Sequence, residues 1–442
     1  MTAKKQIIEL SKEYFNAKFS DQEFIPGKTY IPPSGKVLDA EDCAHLIDAS
    51  LDMWLTAGRF ASEFEKTLAK KFGKKLSRLT VSGSAANLLA FSTLTSWKLG
   101  GQRIKPGDEV ITVAAGFPTT VAPIIQNGCI PVFVDVDIHT HNVDVQAVRN
   151  AISEKTRAVM IAHSLGNPFD VLAIKKICED HKLYLIEDCC DAFGATIQLE
   201  DGSEKGVGTF GELATLSFYP AHHITMGEGG AVLTDSIRLA RICESFRDWG
   251  RDCYCQPGKD NTCGKRFEWQ HGELPYGYDH KYTYSHIGYN LKVSDMQAAV
   301  GLSQLSKVDQ FIQKRRSNFD GLSARLRAAG LDEYFILPEA TKGTKPSWFG
   351  YLLTLRDGIK ISRRELTSEL ENCKVGTRLL FAGNLTKQPA FKHERYRVSG
   401  SLQNTDKIME DAFWIGVWPG LTDNHLDYMV DTLFQIIKNK GV

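Results

Sequence analysis

The 442-residue chain carries no excess of charge of either sign: Lys+Arg and Asp+Glu are both 53, so the formal net charge is zero. No global field is available to draw it onto nucleic acid or an anionic membrane, and neither partner is expected. Long hydrophobic runs are missing too; none approaches the ~20 apolar residues of a membrane span. Met1-Thr2-Ala3-Lys4-Lys5 leads into an amphipathic stretch with no apolar core and no small-residue cleavage site. A cytoplasmic protein is expected. Internal repeats and low-complexity segments are absent. Hydrophobic residues make up 43%, charged residues 24% and aromatics 10%, which excludes a disordered chain, a collagen-like repeat and a disulfide miniprotein. The length suits one large α/β domain and a smaller one.

Ten cysteines are present. In a reducing compartment they are not expected to form disulfides. Cys43, Cys129, Cys178, Cys243 and Cys373 are scattered through apolar or helical surroundings and read as small buried hydrophobes. The other five fall in two groups, Cys189-Cys190 and Cys253, Cys255, Cys263, and those require an explanation.

From about residue 78 to 235, short β-rich runs such as Glu109 to Ala114, Ala158 to His163 and Ala214 to Tyr219 alternate with helical patterns. Near-continuous apolar strands separated by helices predict a mostly parallel sheet covered on both faces. Residues 248–290 break the pattern with Gly, Tyr, Asp, Asn and Cys and little periodicity; a loop that long is usually functional. A long helical pattern from Ser294 to Ala329 then leads into a smaller α+β region. The expected organisation is a helical arm over 1–35, a large domain over 36–330 containing the cysteine loop, and a small domain over 331–442.

Three motifs carry chemistry. Ser82-Gly83-Ser84-Ala85-Ala86-Asn87 follows a strand and opens a helix, so small residues let backbone N–H groups approach an anion where the helix dipole favours negative charge. It has neither the dinucleotide nor the P-loop spacing. Ile186-Glu187-Asp188-Cys189-Cys190-Asp191 lies at the C-terminal end of a sheet strand, where ligands sit in open α/β sheets. Asp188 there could hold a protonated ring nitrogen or simply cap the next helix. Finally, Ser217 to Gly230 places His222-His223 between a strand and a Gly-rich turn, suited to acid–base work near neutral pH.

Together with Gly288-Tyr289-Asn290-Leu291-Lys292, these motifs resemble the DegT/DnrJ/EryC1/StrS family of sugar aminotransferases and dehydratases, from about residue 30 to the C-terminus. The resemblance implies a fold-type I pyridoxal-phosphate (PLP) architecture: an α/β large domain with a mostly parallel seven-stranded sheet, plus a small C-terminal α+β domain. In the family's aminotransferases a lysine after Ser-Phe-x-Pro-x holds the cofactor as a Schiff base. Here that position is His222, and an imidazole is not a primary amine. The likeness is therefore to the family's sugar 3-dehydratases, which hold pyridoxamine 5′-phosphate (PMP) noncovalently.

The resemblance implies C3 dehydration of a nucleotide-linked 4-keto-6-deoxyhexose. CDP-4-dehydro-6-deoxy-D-glucose is the expected substrate, on the way to the 3,6-dideoxyhexoses of lipopolysaccharide O-antigen. His222 is implied as the base and Asp188 as the partner of the cofactor's ring nitrogen. Gly83, Ser84 and Ser217 match phosphate contacts, and Phe117 the aromatic that stacks on the ring. Asn290 matches a phosphate contact from the neighbouring subunit of a homodimer. Asp191 and Tyr219 stand where many of the aminotransferases have Gln and His, departures that favour dehydration. Arg378 is expected to hold the substrate's pyrophosphate, His163 to line the pocket and His223 to support the turn.

The arrangement Cys190-x62-Cys253-x-Cys255-x7-Cys263 matches the four-cysteine [2Fe–2S] set of the CDP-sugar 3-dehydratases. The polar segment Gln198 to Gly206 is expected to take up an extra length in the first gap as a surface insertion. Such a cluster implies electrons from a separate flavin/iron–sulfur reductase. Spacing alone leaves zinc open, since Cys-x-Cys identifies neither metal. The competing expectations are a colitose-type 3-dehydratase of GDP-4-keto-6-deoxymannose without a cluster, and a non-catalytic iron–sulfur or zinc-binding protein on the same fold.

Overall fold

The computed structural model describes residues 2–19, 23–255 and 258–440. Helix α1 (Ala3–Lys18) packs on α2 (Ala40–Leu51), which is started by a reciprocal cap between Asp39 and Asp42. In α3 (Arg59–Phe72), Phe60, Phe64, Leu68 and Phe72 recur every fourth residue and are buried, the stripe of an amphipathic helix.

The strands in chain order are β1 (Leu76–Thr80), β2 (Glu109–Val113), β3 (Ile130–Val134), β4 (Thr156–Ala162), β5 (Tyr184–Asp188), β6 (Thr196–Gln198) and β7 (Glu204–Gly206). They continue with β8 (Leu213–Ser217), β9 (Gly230–Thr234), β10 (Phe335–Ile336), β11 (Thr344–Lys345), β12 (Gly350–Leu355), β13 (Arg397–Val398) and β14 (Ala412–Gly416). The main sheet runs β1-β9-β8-β5-β4-β2-β3-β13. All neighbours from β8 to β13 are parallel, whereas β9 is antiparallel to both β1 and β8.

Every residue of β2, β8 and β9 is buried because helices cover both faces. Alternation still sorts the side chains: Ile111, Val132 and Val159 join one apolar cluster, and Val110, Phe133 and Met160 the other. The expected seven strands are present, and β13 adds an eighth from the C-terminal region. Arg397 of β13 grips Glu109 with two nitrogens, at 2.7 and 3.0 Å. A two-residue strand has too short a pattern to read in the sequence.

The crossover helices include α4 (Gly83–Leu94), α5 (Pro118–Gln126), α6 (Val145–Ala151), α7 (Val171–His181) and α8 (Ile237–Arg247). Helix α9 (Asp295–Ala328) then spans 34 residues. Its Ala298, Leu305, Val308 and Ile312 belong to the main core, and its Phe319, Leu322 and Leu326 to a second core. That second core is built on the antiparallel sheet β10-β12-β14 with α10 (Arg363–Asn372) and α12 (Asp423–Lys440). The Gln198–Gly206 segment forms an exposed β6–β7 hairpin at the surface, and β11 pairs with the free edge of β6 and ties it to the C-terminal region.

Cys129, Cys178, Cys189 and Cys243 are buried, and Cys43 and Cys373 half-buried. Burial pushes the Cys129, Cys178 and Cys243 thiols up to about 12, as expected of inert core residues. Among the described residues no helix is long and apolar enough to cross a membrane.

Candidate active site

The C-terminal ends of the parallel strands open on a cavity of about 760 Å³. One wall is the start of α4. Ser82 caps it, its Oγ accepting from the Ala85 N–H at 3.0 Å, and Ser84 Oγ lies 3.1 Å from Thr119 Oγ1. A Cβ on Gly83 would stand 2.4 Å from Ser217 Cβ and 3.1 Å from Cys190 Sγ, so only glycine lets this turn lie against the end of β8. Gly83, Ser84 and Ser217 thus meet at one helix N-terminus, a cradle suited to phosphate.

Asp188, at the end of β5, forms the floor. Its Oδ2 accepts from Asn87 Nδ2 at 2.8 Å and Thr120 Oγ1 at 2.7 Å, and its Oδ1 from the Cys190 N–H at 3.1 Å. Thr215 Oγ1 in turn donates to Asn87 Oδ1 at 2.6 Å. A carboxylate fixed this way has one orientation. Asn87 and Thr120 hold it, yet the sequence assigned them no role; Asn87 lies 101 positions from Asp188 along the chain.

His222 also lines the cavity. Its Nδ1 is 3.3 Å from Asp191 Oδ1, outside good hydrogen-bond geometry. Burial raises the Asp191 carboxyl above its ordinary value, and His222 opposes that rise. Tyr219 and Phe117 line the same cavity and are about half exposed, with Phe117 edge-on to Phe381 at 5.7 Å. Arg378 stands exposed at its margin. Among the described residues lining the cavity there is no lysine. Lys292 is engaged elsewhere, with Nζ 2.7 Å from Asn290 Oδ1 and 3.4 Å from the centre of the Trp249 ring.

The expectation for His163 needs correction. His163 does not line the cavity: it is fully buried, stacked on Phe169 at 4.2 Å, with Nε2 3.3 Å from Glu187 Oε2. Glu187 there accepts the backbone N–H groups of Gly208, Phe210 and Gly211, so the pair belongs to the core. Asn290 is exposed and does not line the cavity of its own chain. His223 does support the turn, with Nε2 3.0 Å from the Ser347 carbonyl.

The cysteine set divides. Cys253, Cys255 and Cys263 line one small cavity in the 248–290 loop, together with His280. Hydrogen bonds to sulfur are already in place: Thr262 Oγ1 is 3.0 Å from Cys255 Sγ, and the Cys255 N–H is 3.5 Å from Cys253 Sγ. Cys190 is not in that group. Its backbone is tied to Asp188 and its Sγ faces Gly83 in the main cavity, so the expected four-thiol set is not assembled within the chain. Cys189, just past the end of β5, points away from Cys190 into the core.

Residues 36–434 match the family model described as the DegT/DnrJ/EryC1/StrS aminotransferase family. The chain is 56% identical over 427 residues to the lipopolysaccharide biosynthesis protein RfbH of Salmonella typhimurium, covering 97% of this chain and 96% of the relative. It is 50% identical over 435 residues to the dTDP-4-dehydro-2,6-dideoxy-D-glucose 3-dehydratase of Saccharopolyspora spinosa, covering 98% and 92%. In structure it resembles the E. coli GDP-4-keto-6-deoxy-D-mannose-3-dehydratase with bound hydrated PLP, with TM-score 0.81 and 28% identity, covering 92% of this chain and 100% of that one. Fold, motifs in order and full-length similarity agree: the chain belongs to the DegT/DnrJ/EryC1/StrS family.

Proposed function

We propose that this protein is a PMP-dependent 3-dehydratase of a nucleotide-linked 4-keto-6-deoxyhexose. The observation that carries the reading is a PLP-type cavity with His222 in place of the lysine and no other lysine among its described lining residues. Two of the relatives are named as sugar-nucleotide 3-dehydratases, and one of these was solved with PLP bound.

The cavity fits the cofactor by its donor set. Ser84, Ser217 and the Gly83 backbone would hold the phosphate, Phe117 would cover one ring face, and Asp188 would hold a protonated ring nitrogen. When bound, PMP supplies the amine that condenses with a 4-keto sugar and the conjugated ring that takes up electrons as the C3 hydroxyl leaves. His222 Nε2, which has no hydrogen-bond partner among the described residues, would take a proton at the cofactor carbon bearing the amine. Asp191 steadies Nδ1 of the same ring from 3.3 Å. Tyr219 lines the same cavity and would offer its hydroxyl to the sugar. Arg378 meets the diphosphate at the cavity margin. In a homodimer, Asn290 reaches the partner's phosphate; Lys292 occupies its amide oxygen and leaves the NH₂ to donate.

The finer parts of the proposal are a CDP-linked substrate and a [2Fe–2S] centre fed by a flavin/iron–sulfur reductase. Three thiols lining one small cavity, two of them already accepting hydrogen bonds, support the centre. Because Cys190 stands in the other cavity, the four-cysteine set does not fit as a unit, and no step is derived through it. That separation favours a second reading, cluster-independent 3-dehydration.

PMP-loaded protein with CDP-4-dehydro-6-deoxy-D-glucose tests the reaction. His222→Asn is expected to retain PMP and abolish C3–O cleavage; a fully active variant, or conversion of the sugar to its 4-amino derivative, would overturn the assignment. EPR with iron and sulfide analysis on anaerobically prepared, dithionite-reduced protein separates the two readings. A rhombic S = 1/2 signal lost in Cys253→Ser supports the centre. Zinc, or no metal after reconstitution, supports the second reading.

A further inference from the structure

The largest fully buried side chain among the described residues is a cation, Arg315 of α9. No carboxylate there comes within ion-pair distance of it. Its nitrogens face four backbone carbonyls instead. Nη2 donates to Ala221 at 3.3 Å and His222 at 3.0 Å; Nη1 donates to Trp348 and Phe349, both at 3.3 Å. Nε is left without a partner. Burial lowers its pKa to about 10, so the guanidinium stays charged at neutral pH. Apart from a longer-range attraction to Asp191, this buried charge is held by carbonyl dipoles, which is poor value as core filling, since a leucine or methionine would occupy the volume without desolvation.

The four carbonyls belong to two segments that enclose His222. One is the turn after β8, which carries it. The other is the stretch just before β12, whose Phe349 ring lies 5.1 Å from the His222 ring. The same stretch accepts from His223 through Ser347 and is bound through the Ser347 and Phe349 N–H groups to the carbonyls of Gly166 and Leu165. Gly166 has φ +86°, and a Cβ there would meet the Ser347 carbonyl oxygen at 2.0 Å, so the stretch can pass only beside a glycine. Arg315 itself does not line the cavity.

We propose that Arg315 is a positioning residue for His222: its planar fork locks the His222 turn to the Trp348-Phe349 backbone and so fixes the imidazole with Nδ1 toward Asp191 and Nε2 toward the reacting carbon. The proposal rests on the dehydratase reading for the identity of that carbon, though the ring orientation is measurable without it. A planar fork presents two separate NH₂ groups, one to each pair of carbonyls, whereas an ammonium has three donors on a single nitrogen for four acceptors.

The test uses PMP-loaded protein with Arg315→Met, which keeps the stem, and Arg315→Lys, which keeps the charge. Nitrogen-15 NMR of the histidine rings, without substrate, reads the His222 tautomer, assigned by its loss in His222→Asn. The fixed Nδ1–H pattern of the unmodified protein is expected to become a mixture in Arg315→Met and less so in Arg315→Lys. With substrate, kcat is expected to fall about 10- to 100-fold, as a displacement of about 1 Å can cause, with KM and PMP affinity held within about twofold. A lower melting temperature with unchanged tautomer and kcat would show a purely structural role and overturn the proposal. Should Arg315→Met not fold, Arg315→Lys carries the same two readouts. Absence of turnover in the unmodified protein would defeat the dehydratase reading alone, since the tautomer pattern would still decide the positioning role.

Discussion

The two candidate sites are built on opposite principles. In the main cavity every polar side chain of the floor is anchored by regular structure: Asp188 ends a strand, Asn87 sits in the second turn of α4 and Thr120 in the first turn of α5, and their mutual bonds are buried. The cysteine loop has only one 3-10 turn, His280–Tyr282, among its described residues from 253 to 290. It is tied by ion pairs near the surface, Arg266 to Asp279, Lys281 to Asp260 and Lys98 to Asp252. The first arrangement suits chemistry that needs a fixed geometry before ligand arrives. The second suits a segment whose order depends on what binds to it, since its bonds exchange readily with water and salt.

The strongest test of that contrast removes the keystone of the cavity. Asp188→Ala strips the acceptor from two buried donors, Asn87 Nδ2 and Thr120 Oγ1. Each such group costs about 1–3 kcal/mol, so urea unfolding should report a loss of about 2–6 kcal/mol, together with loss of retained PMP. Undiminished stability would show that the floor is not preorganised. A smaller effect comes from the same substitution made in both regions. Gly83→Ala places a methyl 2.4 Å from Ser217 Cβ, costing about 1–3 kcal/mol and weakening PMP affinity at least tenfold. Gly264→Ala, in the loop, meets nothing within 4 Å and carries only the strain of φ +67°, about 1 kcal/mol, with PMP affinity unchanged. Equal effects in a PMP titration would erase the distinction.

Much of the cavity was legible because its parts are contiguous in the chain. Ser82-Gly83-Ser84 reads as a helix start after a strand, and Glu187-Asp188 as a strand end, from local pattern alone. His222 stands out because it replaces the residue type the motif otherwise carries. What could not be read depends on contacts across long separations. Thr120 meets Asp188 over 68 positions, and Arg315 meets the His222 carbonyl over 93. In an α9 sequence rich in Lys and Arg, nothing marks Arg315 as the one turned inward. His163 was misplaced for a related reason: being next to the cavity end of β4 does not say on which side of the sheet a side chain emerges. The opposite directions of Cys189 and Cys190 agree with strand alternation although both residues lie just past the end of β5. The loop cysteines were recognised as a group by spacing, but spacing could not show that Cys190 faces a different cavity.

The smallest expected effect is in the loop's own fastening. Arg266 holds Asp279 with Nε at 2.8 Å and Nη2 at 2.5 Å, and the His280 N–H is bonded to the Arg266 carbonyl. The guanidinium keeps the Asp279 carboxyl below its ordinary 3.8. A carboxylate depressed in the folded state adds stability that is fully present above 3.8 and is lost as pH falls through the folded value. Pairs near the surface are worth about 0–1 kcal/mol, so at neutral pH Asp279→Asn should speed exchange of the His280 amide by no more than about fivefold. Below the folded pKa the variant and the parent should exchange alike, once intrinsic rates are divided out. Half-molar salt should narrow the gap at neutral pH, because it screens the pair. The Asn87 and Thr120 bonds to Asp188, buried in the cavity floor, should be insensitive to half-molar salt. A salt-sensitive PMP affinity traced to that floor would mean that the two regions are held by the same kind of bond after all.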